Sequence, residues 1–172
     1  RGGLASATIA ACAGFAALSG SSLASAVTMG RVALPEMKKY KYADSLATGS
    51  VAAGGTLGFL IPPSGGMIIY AVLTEQSIGR LFMAGVFPGI ILTLLFIGAI
   101  YCVVIRNPTA GPRAKQFDRP ERVTSLWRAL PIVGVVLITI GGMYTGFFTP
   151  VEASSVGAFL TFVVAACRKS LG

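Results

Sequence analysis

The chain has 172 residues, 54% of them hydrophobic and only 12% charged, and its mean hydropathy is +0.78, a profile that excludes an ordinary soluble domain and points to an integral membrane protein. The formal charge of +8 would suggest nucleic acid in a soluble protein, but here the cations sit in the gaps between apolar runs, which argues against that partner and for a lipid bilayer. No histidine occurs, and Cys12, Cys102 and Cys167 stand singly, so a zinc site, a disulfide framework and the usual general base are all disfavoured.

Charge-free apolar runs cover Leu4 to Gly30, Ser45 to Thr74, Leu81 to Ile105 and Ala129 to Pro150. Each reaches the roughly 20 residues that a helix needs to cross the hydrocarbon. The first run is interrupted by Ser19-Gly20-Ser21-Ser22, turn formers that weaken a continuous helix. Both its flanks are basic, Arg1 on one side and Arg31, Lys38, Lys39 and Lys41 on the other, so one crossing would leave positive charge outside. A re-entrant hairpin over 4–34, with arms Leu4 to Leu18 and Leu23 to Leu34, resolves both conflicts. Its Ala, Ser, Thr and Gly content suits close backbone approach, although a plain small-residue membrane helix remains open.

The second run, 45–74, contains "GTLGFLIPPSGG" from Gly55 to Gly66. Pro62 and Pro63 each remove a donor, and Pro62 disfavours helical geometry at Ile61, so the helix is expected to stop near Gly58 and restart near Ser64, with Ser64 as its cap. The alternative is a simple proline kink. A span over 81–105 follows, then a basic, proline-bearing connector over 106–128 holding Arg106, Arg113, Lys115, Arg119, Arg122 and Arg128, with Trp127 as an interfacial anchor. Further membrane helices occupy 129–172, the last of them, Ala153 to Cys167, short enough to suggest truncation. With the hairpin mouth inside, every strongly basic segment, Arg168 and Lys169 included, lands on the cytoplasmic side. The initial Arg and the short last span suggest an internal fragment.

Interrupted helices at membrane depth are how secondary transporters build ion and substrate sites. Carbonyls expected to be unpaired near Gly54 to Gly58 suit sodium, the hydroxyls of Ser19, Ser21, Ser22, Thr56 and Ser64 add neutral oxygens, and the half-helix after Ser64 offers N–H groups to an anion. No Asp, Glu, Lys, Arg or His lies in the four long runs, so a proton relay has no obvious carrier and sodium is the economical coupling ion. A serine hydrolase at Ser19 to Ser22 lacks a base, and no phosphate-binding loop is present, so no catalytic residue or cofactor is assigned. A channel, or a non-transporting membrane scaffold or accessory subunit, is the alternative.

Four stretches carry a family resemblance: "GFAALSGSSLASAVTMGRVALPEM", "YADSLATGSVAAGGTLGFLIPPS", "YAVLTEQSIGRLFMAGVFPG" and "GGMYTGFFTPVEASSVGAF". In this order they resemble the large membrane subunit of tripartite ATP-independent periplasmic (TRAP) transporters. The resemblance implies an all-α, elevator-type, sodium-coupled importer of carboxylate-bearing solutes such as sialic acids or dicarboxylates, multi-pass in a bacterial or archaeal inner membrane. It implies two partners, a small membrane subunit and an extracytoplasmic solute-binding protein. It makes 1–105 the first-repeat transport region of an inverted-repeat fold, with a re-entrant hairpin and a discontinuous helix, and leaves the second repeat missing. It puts Ser19, Gly20, Ser21 and Ser22 at the hairpin tip and Gly54, Gly55, Thr56 and Gly58 in the facing helix as a sodium site, beside a substrate cavity lined by Ser22, Pro62, Pro63 and Ser64.

Overall fold

The computed structural model describes residues 2–112 and 119–167, the side chains at 119–129, 132, 150, 151 and 154 excepted. Arg113, Lys115, Arg168, Lys169 and the Trp127 side chain lie outside these. The described residues hold helices and turns and no strand: α1 Gly3–Ser19, α2 Ser22–Lys39, α3 Asp44–Leu60, α4 Gly65–Leu73, α5 Ile78–Arg106, α6 Arg119–Tyr144 and α7 Pro150–Cys167. They divide into two compact units, Arg1–Lys115 and Gln116–Gly172.

In the first unit α1 ends because Gly20 takes a left-handed conformation, φ 60°, that glycine alone adopts cheaply. Ser21 then starts α2 by accepting the Ala24 N–H at 3.3 Å. A single straight helix through Leu4 to Gly30 is thereby ruled out, and the turn falls inside the expected serine tetrapeptide. The second arm runs further than expected, through Pro35 to Lys39, where Lys38 and Lys39 in its last turn suit the negative end of the helix dipole.

α1 and α2 both pack on α3. The buried residues of α3, among them Ala47, Ser50, Val51, Gly54, Leu57 and Gly58, recur at the three- and four-residue spacing of one helix face. Opposing them are Ala5, Ile9, Cys12 and Ala16 of α1 and Ala33 and Met37 of α2, all but Ile9 small or flexible side chains that let the helices approach. The turn after α5 closes the other end. Its successive carbonyls at Ala110 and Gly111 accept from Ala43 and Gly2, each at 3.0 Å, so one turn satisfies amides beside the starts of α3 and α1. The Tyr42 hydroxyl accepts the Leu4 N–H at 3.2 Å beside them.

Among the described residues two helical stretches are long and apolar enough to cross a membrane, Asp44–Leu73 taken through its interruption and Ile78–Arg106. α5 leaves much of its surface open, Phe87 at 72% and Leu94 at 62%, as a helix facing hydrocarbon does.

In the second unit α6 and α7 pack on each other. α6 begins at Arg119, so the connector expected over 106–128 is helical in its last part and continuous with the following apolar stretch. α7 opens with a capping box: Glu152 Oε2 accepts the Thr149 N–H at 2.8 Å, and Thr149 Oγ1 accepts the Glu152 N–H at 3.3 Å. The backbone bond from Thr149, reinforced by its hydroxyl at 2.8 Å, holds the Glu152 carboxyl below its ordinary range. Because this pKa is depressed on folding, the cap is fully present above the unfolded value of about 4.5 and is lost as pH falls through the lower folded value. Amide exchange in the first turn of α7 is therefore expected to accelerate below about pH 4.5, beyond its intrinsic rate change. Glu152→Gln should flatten that acceleration, and an identical pH profile in both proteins would remove the carboxylate from the cap.

Candidate functional site

The feature to be explained is the gap between α3 and α4, where Ile61 to Ser64 leave the helix and the Pro62-Pro63 bond is cis. α3 runs to Leu60, past the expected stop near Gly58. Gly54, Gly55 and Thr56 therefore lie inside continuous helix, and their carbonyls are not the free ones. The carbonyls that lose partners come later. Ile61 N–H still reaches the Leu57 carbonyl at 2.8 Å, but Pro62 and Pro63 have no N–H to offer Gly58 and Phe59. Ser64 fills part of this deficit, its buried hydroxyl donating to the Phe59 carbonyl at 2.7 Å.

The turn between α1 and α2 sits on this gap. Gly20 accepts the Gly65 N–H at 3.1 Å, joining the tip to the first residue of α4. A Cβ at Gly20 would stand 2.6 Å from the Pro63 carbonyl oxygen. On the α3 side, a Cβ at Gly58 would meet the Ser21 carbonyl oxygen at 2.8 Å and the Ser22 nitrogen at 2.9 Å, all backbone that cannot swing aside. Gly54 and Gly55 serve the same close approach lower down, against Cys12 and Ala26. α5 supports the gap as well, with Gly85 beside the Leu60 carbonyl and Met67, and Gly89 beside Ile61.

The structure thus brings together Ser19, Gly20, Ser21, Ser22, Gly58, Pro62, Pro63 and Ser64. Thr56 is not among them. It is exposed, and at 100° per residue it lies on roughly the opposite side of α3 from Gly54 and Gly58. Its hydroxyl bonds the Ala53 carbonyl at 2.7 Å. One residue that sequence reasoning missed belongs to the tip: Ser25 is fully buried, and its Oγ lies 3.0 Å from Ser19 Oγ across the hairpin. Its position about one turn into the helix gave no signal distinct from the other small residues of α2.

The oxygens here are hydroxyls and carbonyls, a neutral hard-donor set suited to a monovalent cation. Among the described residues no cluster of His, Cys, Asp or Glu could hold a transition metal. The N-terminus of α4 is largely spoken for. Gly65 donates to Gly20, Met67 to Ser64 Oγ at 3.5 Å and Ile68 to the Ser64 carbonyl at 3.1 Å, which leaves Gly66 as the first-turn N–H with no acceptor among the described residues.

The family model described as "Tripartite ATP-independent periplasmic transporter, DctM component" matches residues 1–171. Among curated relatives, a C4-dicarboxylate TRAP transporter large permease of Pseudomonas aeruginosa is 43% identical over 96% of this chain and 38% of its own length. An ectoine TRAP transporter large permease of Halomonas elongata is 40% identical over 95% of this chain and 39% of its own. A sialic acid TRAP transporter permease of Haemophilus influenzae is 32% identical over 95% of this chain and 26% of its own. The chain therefore spans about two fifths or less of these relatives. With a match over nearly its whole length, it belongs to the family of TRAP transporter large permease (DctM) proteins.

Proposed function

We propose that this chain is the first-repeat portion of a sodium-coupled secondary transporter that imports carboxylate-bearing solutes across a bacterial or archaeal inner membrane. A small membrane subunit and an extracytoplasmic solute-binding protein complete the transporter. The observation that carries the reading is the seating of the serine tip on the α3–α4 gap, two irregular backbone segments converging where neutral oxygens gather. Irregular backbone at membrane depth is tolerated where protein covers it or a polar cavity meets it. α1, at 17 residues or about 25 Å, is shorter than the roughly 30 Å of hydrocarbon, which fits a hairpin that enters and returns.

Sodium sits between Ser19–Ser22 and the end of α3, where the Gly58 carbonyl has been released by Pro62. Its charge, with the dipole and Gly66 N–H of α4, makes the neighbouring space favourable to a carboxylate beside Ser22 and Pro62 to Ser64. Ordering of tip and gap by sodium lowers the cost of holding the solute, which is the coupling. The solutes named for the relatives, C4-dicarboxylates, sialic acid and ectoine, supply the first candidates.

The test is uptake of labelled succinate and sialic acid by the full-length subunit with its small partner and binding protein in proteoliposomes, with and without an inward sodium gradient. Accumulation that requires sodium is expected. Ser21→Ala should raise the sodium concentration for half-maximal uptake by roughly five-fold, the loss of one oxygen contact. Thr56→Ala, facing away, should leave it unchanged. Uptake indifferent to sodium would overturn the coupling, and a complete complex that binds solute but never accumulates it would favour the scaffold reading.

A further inference from the structure

The outer face of α2 carries a groove that the tip and gap do not use. It is lined by Ala26, Val27, Gly30 and Leu34, closed on one side by Val51 of α3, and has a volume of about 630 Å³. Its lining is apolar toward the hairpin tip and cationic toward the mouth, where Arg31 and Lys38 stand seven residues apart. Seven residues are two turns, so both cations project from one face about 10 Å apart along the axis. Both are exposed, and neither has an ion-pair partner among the described residues, whereas neighbouring Lys39 lies 3.8 Å from Glu36. Pro35, also in the lining, has no N–H to return to the Arg31 carbonyl, which leaves a backbone acceptor one turn below it.

We propose that this groove holds an anionic phospholipid of the cytoplasmic leaflet, its phosphate between Arg31 and Lys38 and one acyl chain along Gly30, Val27 and Ala26. Charge complementarity selects the occupant. Two cations at one end of an apolar trough, without ion-pair partners among the described residues, match a phosphodiester with a hydrocarbon tail, and basic pockets on the cytoplasmic side of membrane helices bind such headgroups. The freed Arg31 carbonyl adds a preference for a headgroup bearing hydroxyl donors, as in phosphatidylglycerol. Gly30 forms the floor: a Cβ there would make only ordinary contact, 3.5 Å from Val51 and 3.9 Å from Leu34, so the floor is open to filling without forcing the helices apart. The inference rests on the proposed placement of the hairpin mouth at the cytoplasmic membrane face, and not on sodium coupling.

The full-length subunit with its small partner, reconstituted into nanodiscs of equal phosphatidylglycerol and phosphatidylcholine and released into gentle detergent, is assayed for co-purifying lipid by native mass spectrometry. The wild type should retain phosphatidylglycerol in preference. Arg31→Gln with Lys38→Gln should reduce that enrichment roughly ten-fold, given the usual contribution of two interfacial cations. Gly30→Leu, which fills the trough and keeps both charges, should reduce it similarly. Lys39→Gln with Lys41→Gln removes equal charge outside the groove and should leave it intact. Equal retention in all four proteins overturns the proposal, as does loss in both charge pairs with retention in Gly30→Leu, the signature of surface attraction without a groove. A fluorophore attached to Val27→Cys, with Cys102 and Cys167 replaced by serine, that a lipid-borne quencher cannot reach overturns it too, since another protein segment then covers the groove. Sodium-dependent uptake by the same purified wild type, reconstituted separately with its small partner and binding protein into proteoliposomes, separates these outcomes from a failure of the transporter reading.

Discussion

Gly20→Ala is expected to be among the most damaging single-atom additions to this chain. Two costs fall on the same carbon. At φ 60° a side chain on the left-handed backbone costs about 1–2 kcal/mol. The added Cβ would also meet the Pro63 carbonyl oxygen at 2.6 Å, and that oxygen belongs to backbone fixed between two prolines and the buried Ser64. Overpacking of this kind adds about 1–3 kcal/mol, so a total near 3 kcal/mol is expected. The relief available is for the tip to lift off the gap, which breaks the bond from Gly65 N–H to the Gly20 carbonyl. The full-length variant should therefore melt at a lower temperature in detergent and, on the proposed function, lose sodium-dependent uptake even where enough folded protein survives. Gly14→Ala is the matched comparison. It lies in the same hairpin arm, exposed, with nothing within 4 Å of an added Cβ, and should be neutral or gain about 0.5–1 kcal/mol from helix propensity. Equal melting of Gly20→Ala and wild type would mean that the tip is not seated as described.

Much of this arrangement was legible in the sequence, and the reasons are local. Gly20 among three serines, and two adjacent prolines, are backbone instructions that act within a few residues, so both interruptions could be placed to within about two positions. What local signals could not supply was the face. The sequence put Gly54, Gly55, Thr56 and Gly58 into one site because they are neighbours in the chain. In the helix that continues to Leu60, Thr56 turns away while the three glycines face α1 and α2. The released carbonyls were expected over too wide a range, Gly54 to Gly58: a proline silences the acceptor four residues before it, so Pro62 and Pro63 act at Gly58 and Phe59 while Gly54 to Leu57 stay within the helix. Ser25 and the Gly85–Gly89 pair were illegible as site residues because only tertiary contact gives them a role, the first through Ser19 and the second through Leu60 and Ile61. The start of α6 at Arg119 was hidden by its charge, which reads as a loop although arginine and glutamate are good helix formers.

Ser64→Ala gives the second large effect, and its size follows from what the hydroxyl replaces. In an unbroken helix the Phe59 carbonyl would receive the N–H of residue 63, but that residue is proline. Ser64 Oγ stands in as donor at 2.7 Å, and the same oxygen caps α4 by accepting the Met67 N–H. Ser64 is fully buried in a stretch with no charged side chain, so water is a poor substitute once the hydroxyl is gone. Leaving a carbonyl and an N-cap amide together without partners should cost about 2–3 kcal/mol. Thr56→Ala removes a hydroxyl at a similar distance, 2.7 Å from the Ala53 carbonyl, yet should cost little. Ala53 lies within the helix and keeps its bond from the Leu57 N–H, so that hydroxyl is a second donor rather than the only one. Hydrogen exchange across the last turn of α3 and the first of α4 should therefore accelerate strongly in Ser64→Ala and hardly at all in Thr56→Ala. Ser64→Thr, which restores the donor, should recover most of the protection. Because gap and tip share the bond between Gly65 and Gly20, loosening the gap should also, on the proposed function, raise the half-maximal sodium and solute concentrations together in uptake assays. Unchanged exchange at the gap in Ser64→Ala would show that the Phe59 carbonyl finds another donor, and the serine would then be a cap and nothing more.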